Sequence, residues 1–292
     1  MEERINNEIN EQEQYNGIIV LGEMRVGKSN LIHLLTGKDV KVEISNHRVT
    51  EKVEAFEGII DNKKVLYIDT VGFSDENDEK EKLNLKIFLN ENQNIKIKKI
   101  LIVINFQSQQ FSKGLITCFE NIASIFPMPE FWNRVILCYS HYLNNGFIDK
   151  ESIKHNLEKD NKIGFENIMK NLKAKHKIIE IEYENIKKIY YDIYCEKDIN
   201  MINSNEKQEE IRENNKKYKK IFEDELKNIF NDIPMYNSMK VEKKIMKFAK
   251  PSRKDPNKLE VREGEALLIE YYDSKNERIG KIVQPFKNFD DL

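Results

Sequence analysis

The sequence predicts an α/β fold, in which a mostly parallel central sheet is flanked by helices and followed by a small C-terminal appendage. Short β-branched runs such as Ile18–Leu21 and Ile100–Ile104 are typical of strands that are buried on both faces. Helical sequence lies between these runs, and an alternation of strands and helices favours parallel pairing. The length of 292 residues suffices for one large domain with an appendage.

The predicted elements follow one another in a regular order along the chain. The strands are predicted at Ile18–Leu21, Val49–Phe56, Lys64–Ile68, Lys99–Asn105, Val135–Tyr139 and Ile189–Tyr194. The helices are predicted from Ser29 to Gly37, from Leu115 to Phe126, from Asp149 to Lys175 and from Asn205 to Phe230. Asp61-Asn62 is predicted to form the turn between the second and third strands.

We divide the chain into a flexible N-terminus at 1–14, a main domain at 15–235 and an appendage at 236–292. The appendage begins with the basic stretch Lys240–Lys258, which we interpret as a solvated connector. Several apolar residues accompany these charges, so peripheral contact with an anionic membrane is the alternative. The last part of the appendage, residues 266–272 and 278–283, can pair as a β-hairpin.

Composition and charge argue against several classes of protein. The 48 basic and 50 acidic residues give a net charge of −2, which lacks the basic excess of nucleic-acid-binding proteins, so we expect no nucleic-acid partner. No apolar run approaches the roughly 20 residues of a membrane span, and the first residues do not resemble a signal peptide. The 3 cysteines and 5 histidines show no metal-ligand spacing. We expect a cytoplasmic protein with reduced thiols.

A phosphate-binding motif carries the strongest functional signal in the chain. Residues 22–29 match G-x-x-x-x-G-K-[ST] directly between a predicted strand and a predicted helix. In such a loop the backbone N–H groups point at phosphate oxygens, Lys28 bridges the β- and γ-phosphates, and Ser29 binds Mg²⁺. We predict nucleotide binding by Gly22, Glu23, Met24, Arg25, Val26, Gly27, Lys28, Ser29 and Asn30.

Two later segments are predicted to complete the site. Asp69 follows an apolar strand and can reach the hydration shell of Mg²⁺, and Gly72 can offer its N–H to the γ-phosphate. Thr50 is the candidate switch threonine, with its hydroxyl on Mg²⁺ and its amide on the γ-phosphate; a plain β-strand threonine, or Ser45 in this role, is the alternative. The predicted metal ligands are therefore Ser29, Thr50 and Asp69, and the predicted catalytic residues are Lys28 and Thr50.

These motifs resemble the AIG-type (immunity-associated, GIMAP) guanine-nucleotide-binding proteins, which are septin- and Toc-related GTPases. The resemblance rests on Gly22–Ser29, Val49-Thr50 and Asp69–Phe73, and it extends more weakly over 15–230. The stretch from Ile102 to Ser112 is similar to an extra conserved segment of the family, its box. The resemblance implies a P-loop NTPase G domain, GTP and GDP as ligands, Mg²⁺ as cofactor, a change in the switch loops and a nucleotide-dependent homodimer or oligomer.

The chain departs from this family at the guanine base. The family places an Asp after the fifth strand, whereas Tyr142 or Leu143 stands there in this sequence. Ser140 and His141 fit the start of the corresponding motif, and we predict that they contact the nucleotide. Tyr142 and Asn144 are further candidates for contact with the base, and an ordinary solvated loop is the alternative. The preference for GTP over ATP thus rests on the resemblance.

We predict slow hydrolysis, which dimerisation can raise. Phe73 stands where Ras-like enzymes place a glutamine that orients water, and Gln110 stands where the family's box carries a basic residue. Arg25 and Arg48 are the remaining arginines near the site, and each is more typical of a surface charge or a partner contact. The alternatives are a non-hydrolysing, nucleotide-dependent scaffold and a P-loop enzyme of another class that uses ATP.

Overall fold

The computed structural model describes residues 14–38, 53–72, 78–107, 112–126, 131–141, 150–176, 181–232, 234–236, 238–251 and 259–285. Six strands form the central sheet: β1 (Tyr15–Gly22), β2 (Glu54–Ile60), β3 (Lys63–Asp69), β4 (Ile95–Asn105), β5 (Val135–Ser140) and β6 (Lys187–Tyr190). Their order across the sheet is β2-β3-β1-β4-β5-β6, with β2 antiparallel to β3 and the other pairs parallel.

Helices cover both faces of this sheet. They are α1 (Lys28–Thr36), α2 (Asp78–Glu91), α3 (Lys113–Ile125), α4 (Lys150–His176), α5 (Glu196–Asn200) and α6 (Asn205–Leu226). Successive side chains of β1 alternate between two hydrophobic cores. Ile19 and Leu21 join α2, α3 and α4 on one face, and Ile18 and Val20 join α1 and α6 on the other. The predicted α/β class with a mostly parallel sheet is therefore confirmed.

Most predicted elements of the central domain lie where the sequence places them. Asp61 and Asn62 have φ values of 48° and 59° in the tight turn between β2 and β3, and Gly37 ends α1 in a left-handed conformation. Several boundaries differ from the prediction: β2 extends to Ile60, beyond Phe56, and β4 begins at Ile95, before Lys99. β6 ends at Tyr190, before the predicted end at Tyr194, and α6 tightens into a 3-10 turn after Leu226.

Helix α2 is an element that the sequence analysis does not predict. Its apolar residues at 83, 85 and 87 alternate with polar ones in the manner of a strand, whereas 87–89 is a continuous apolar run, so the local pattern does not single out a helix. In the structure Leu85 and Leu89, four residues apart, are buried on the sheet, while Ile87 lies at the surface. Packing against the sheet stabilises the helical conformation, which the mixed local pattern does not specify by itself.

The C-terminal part forms a second, antiparallel sheet of three strands in the order β7-β8-β9: β7 (Ser238–Pro251), β8 (Leu259–Tyr272) and β9 (Arg278–Pro285). The interpretation of residues 240–251 as a connector is wrong, because they form β7. The register places Lys240, Lys247 and Lys250 opposite Glu270, Glu263 and Glu260 of β8. Residues 252–258 of the basic stretch lie outside the described residues.

The C-terminal sheet shares the hydrophobic core beneath α2 and α3. Tyr236, Met239 and Tyr271 are buried there, and the Tyr271 hydroxyl donates a hydrogen bond to the carbonyl oxygen of Ile125 at the end of α3. The core is thus continuous across residue 236, where the sequence analysis divides the chain. Among the described helices, none has the length and apolarity that crossing a membrane would require.

Candidate phosphate-binding site

The loop between β1 and α1 curls at the carboxyl edge of the central sheet. Gly22 ends β1 so close to β4 that a Cβ would lie 2.4 Å from the carbonyl oxygen of Val103. Gly27, with φ of 93°, precedes α1, and this left-handed conformation favours glycine. Arg25 also has a positive φ, of 64°. The predicted loop, residues 22–29, therefore leads from the end of a strand into the N-terminus of a helix, where backbone N–H groups attract anions.

Lys28 is held inside this loop. The residue is only 7% exposed, and its Nζ donates a hydrogen bond of 2.8 Å to the carbonyl oxygen of Glu23. Burial lowers the pKa of Lys28, while the carboxylates of Asp69 and Glu23 oppose this effect. A buried ammonium group is stable only beside an opposite charge. A phosphate group in the loop would supply that negative charge and so stabilise the charged form of Lys28.

Ser29 and Asp69 meet at the first turn of α1. The Ser29 hydroxyl donates a hydrogen bond of 2.9 Å to Oδ2 of Asp69, which is buried at the carboxyl end of β3. Hydroxyl and carboxylate oxygens are the ligands that Mg²⁺ prefers, and in nucleotide sites it takes only one or two protein ligands beside phosphates and water. This pair of oxygens fits a magnesium ion of that kind. Within the described residues, no three or more His, Cys, Asp or Glu side chains are grouped so that they alone could hold a metal ion.

The segment after β3 packs directly against the phosphate loop. A Cβ on Gly72 would lie 2.7 Å from both the N and the Cα of Met24, so only glycine permits this approach. The preceding Thr70 is buried, and its hydroxyl donates a hydrogen bond of 2.8 Å to the carbonyl oxygen of Val20 in β1. No role for Thr70 is predicted from the sequence. Its position next to Asp69, at the end of an apolar strand, is the sequence feature that could have identified it as a positioning residue.

Ser140, a predicted contact of the nucleotide, is 3% exposed at the end of β5. Its hydroxyl lies 2.8 Å from the carbonyl oxygen of Val26 and 3.2 Å from that of Ile104. Both contacts are internal, so the geometry makes Ser140 a residue that positions the phosphate loop. His141 follows in a left-handed conformation, with φ of 57°, and is partly exposed. Contact of either residue with a base stays a prediction.

Several predicted residues lie outside the described part of the chain. They are Ser45, Arg48, Thr50, Phe73, Gln110, Tyr142, Leu143 and Asn144. The structure thus brings together the residues of the phosphate loop with Asp69, Gly72 and Ser140. The predicted role of Thr50 is not tested by this arrangement.

A cavity of about 240 Å³ lies beside the first turns of α1, between that helix, the segment after β6 and α6. Asn30 lines it, and the side-chain oxygen of Asn30 is buried without a hydrogen-bond partner. On the opposite wall Asn215 hydrogen-bonds the backbone of Tyr194, and Arg212 forms an ion pair of 3.2 Å with Glu196. The sequence analysis finds no motif in this segment, since its residues meet only in the tertiary structure.

The sheet order, the loop and the Ser29–Asp69 pair define the class of fold: a P-loop GTPase G domain. Residues 17–127 match the family model described as 50S ribosome-binding GTPase. Within this part the chain therefore carries a GTP-binding domain of the GTPase type. The AIG-type assignment stays a prediction, because the matched model does not describe that family.

The solved structures to which the chain is similar include the following two. Toc33 from Arabidopsis thaliana in complex with GDP and Mg²⁺ is 20% identical, with a TM-score of 0.48; the alignment covers 61% of this chain and 71% of that chain. Era in complex with MgGDPNP and a segment of 16S ribosomal RNA is 15% identical, with a TM-score of 0.40; the alignment covers 87% of this chain and 78% of that chain. The comparison with curated proteins found no match.

Proposed function

We propose that this protein is a guanine-nucleotide switch of the AIG type, which binds GTP and GDP with Mg²⁺ and hydrolyses GTP slowly. The observation that carries the proposal is the convergence of Lys28, Ser29, Asp69 and Gly72 at one edge of the sheet. All four lie within the residues that match a GTPase model. A cytoplasmic location and a nucleotide-dependent homodimer belong to the same proposal and rest on the sequence.

The phosphates would be bound by the loop and by Lys28. The N–H donors of the ammonium group would bond the β- and γ-phosphate oxygens, which are stronger, charged acceptors than the carbonyl oxygen of Glu23. Ser29 and Asp69, with Thr50 as the predicted third ligand, would hold Mg²⁺. When bound, Mg²⁺ neutralises the negative charge of the phosphates.

The switch would operate through Gly72. Its backbone lies against Met24 of the phosphate loop, so a γ-phosphate bound to the loop would be within reach of the segment that starts at Gly72. GTP and GDP differ only in that phosphate. A ligand shifts a conformational equilibrium by its differential affinity for the two states, and this contact is where the difference would arise.

Slow turnover follows from the residue types near the γ-phosphate. Phe73 cannot orient the attacking water, and Gln110 cannot stabilise charge as an arginine would. The same substitutions favour a second candidate function, a scaffold that binds nucleotide without hydrolysing it. Peripheral contact of β7 with a membrane is less favoured, because Lys240 and Lys244 form ion pairs with Glu242 of the same strand.

The proposal is tested by titration of the protein with fluorescent GTP, GDP and ATP analogues, with and without Mg²⁺. We expect guanine nucleotides to bind in the micromolar range or tighter, and Lys28→Ala to abolish binding. Equal competition by ATP would contradict the guanine assignment and favour an enzyme of another class. Single-turnover hydrolysis of GTP then separates the two candidates, since the scaffold shows no phosphate release above the rate of Lys28→Ala.

A further inference from the structure

Glu23 connects the phosphate loop to helix α3 through two different groups. Its main-chain carbonyl oxygen accepts the hydrogen bond from Lys28, and its carboxylate oxygen Oε1 accepts a hydrogen bond from the hydroxyl of Ser112. Ser112 is the N-cap of α3, because its Oγ also accepts the N–H of Leu115 at 3.0 Å. A continuous chain of hydrogen bonds therefore runs from the phosphate-binding lysine to the first turn of α3.

The packing around Glu23 fixes this arrangement. Gly114 lies in the first turn of α3, and a Cβ there would come within 2.6 Å of Oε1 of Glu23. The carboxylate thus occupies the space that a side chain at residue 114 would need. A carboxylate at the N-terminus of a helix is also stabilised by the helix dipole.

From this geometry we infer that Glu23 is a positioning residue that couples occupancy of the phosphate site to the N-terminal turn of α3. The inference rests on the proposed function, because it needs a phosphate group to bind Lys28. That phosphate competes with the carbonyl oxygen of Glu23 for the ammonium group, and the carboxylate of Glu23 transmits the change to Ser112. The N-terminal turn of α3 is then a second segment, in addition to the one at Gly72, whose conformation depends on the bound nucleotide.

Hydrogen exchange of the α3 amides with and without a GTP analogue measures this coupling. In the wild type we expect nucleotide to change the exchange of Leu115 and Ile116, whose N–H groups bond to Ser112. Glu23→Ala removes the link but leaves the N-cap of α3 intact. We expect this variant to lose the nucleotide-dependent change and to bind nucleotide about tenfold more weakly, since a charged hydrogen bond is lost. Glu23→Gln keeps an acceptor for Ser112 and should restore the coupling.

Gly114→Ala separates coupling from helix stability. Alanine favours the helix over glycine, so the α3 amides should exchange more slowly, yet its Cβ displaces the carboxylate and should abolish the nucleotide-dependent change. Ser124→Ala is the matched control on the same helix, because the Ser124 hydroxyl bonds only to the local carbonyl of Asn121. We expect Ser124→Ala to retain both the nucleotide affinity and the coupling of the wild type.

The outcomes keep this inference distinct from the proposed function. If the wild type binds nucleotide but Glu23→Ala shows the same nucleotide-dependent exchange at Leu115, the coupling does not exist and the proposed function stands. If no nucleotide binds to the wild type, the result contradicts both the proposed function and the coupling through Glu23. Should Glu23→Ala fail to fold, the result for Gly114→Ala decides the question by the same criterion.

Discussion

The carboxyl edge of the central sheet and the C-terminal sheet are held in place by different kinds of contact. At the sheet edge, short polar side chains bond to backbone atoms of distant segments, as Thr70 does to Val20 and Ser140 to Val26. The C-terminal sheet is held by large apolar and aromatic side chains, among them Tyr271, that enter a shared core. Loss of one polar contact at the sheet edge should therefore alter ligand geometry at little cost in stability. Loss of one buried aromatic side chain of the C-terminal sheet should instead lower the stability and leave ligand geometry unchanged.

Tyr271→Ala tests the stability side of this comparison and should have the largest effect. Removal of a fully buried aromatic side chain costs about 3–5 kcal/mol, so the free energy of unfolding should fall by that amount in chemical denaturation. Nucleotide affinity at low denaturant should be unchanged, because the side chain lies at the end of α3 away from the loop. Tyr272→Ala, at a partly exposed neighbour, is the control. A large loss of affinity in Tyr271→Ala would show that the two regions are not independent.

Lys28→Ala tests the binding side. We expect a loss of nucleotide affinity of about two to three orders of magnitude, since a buried charged partner of the phosphates is removed. The melting temperature without nucleotide should not fall, because burial opposes the charged form of Lys28. Lys38→Ala is an exposed control just after α1 and should bind normally. A sharp drop in melting temperature would assign Lys28 a structural role instead.

Gly72→Ala tests the close approach of two backbones. Its Cβ would clash with Met24, so we expect affinity to fall about tenfold to a hundredfold, with a greater loss for GTP than for GDP. Gly37→Ala is matched to it: Gly37 has a positive φ of 69° but no atom within 4 Å of the added Cβ. That control should lose about 1 kcal/mol of stability and no affinity. Equal losses for GTP and GDP in Gly72→Ala would argue against sensing of the γ-phosphate.

Ser140→Ala should have the smallest effect and decides between two roles. If Ser140 positions the loop, its removal costs about 1 kcal/mol and weakens GTP and ATP equally, by a few-fold. If it contacts the base, as the sequence analysis predicts, the ratio of GTP to ATP affinity changes. Competition titrations with both nucleotides measure this ratio directly, and Ser124→Ala serves as the control for loss of a hydroxyl.

The sequence alone determined the class of fold and the phosphate loop. A buried strand, the motif at residues 22–29 and an amphipathic helix are local features, since each is fixed by the spacing of residues within one or two turns. The predicted role of Asp69 also depends on local pattern, because the carboxyl ends of parallel strands meet at one edge of the sheet. These residues could therefore be identified before the fold was known.

Only the tertiary structure decided what depends on contacts between distant segments. The helical state of α2 is stabilised by burial of Leu85 and Leu89 against the sheet, where the local pattern is mixed. Residues 240–251 of the basic stretch form a strand because they pair along their whole length with β8, a later segment of the chain. Gly72 against Met24, and Glu23 on Ser112, are likewise contacts between segments that no spacing in the sequence relates. Local pattern fixes which elements form and where phosphate binds, while packing fixes which residues hold that site in shape.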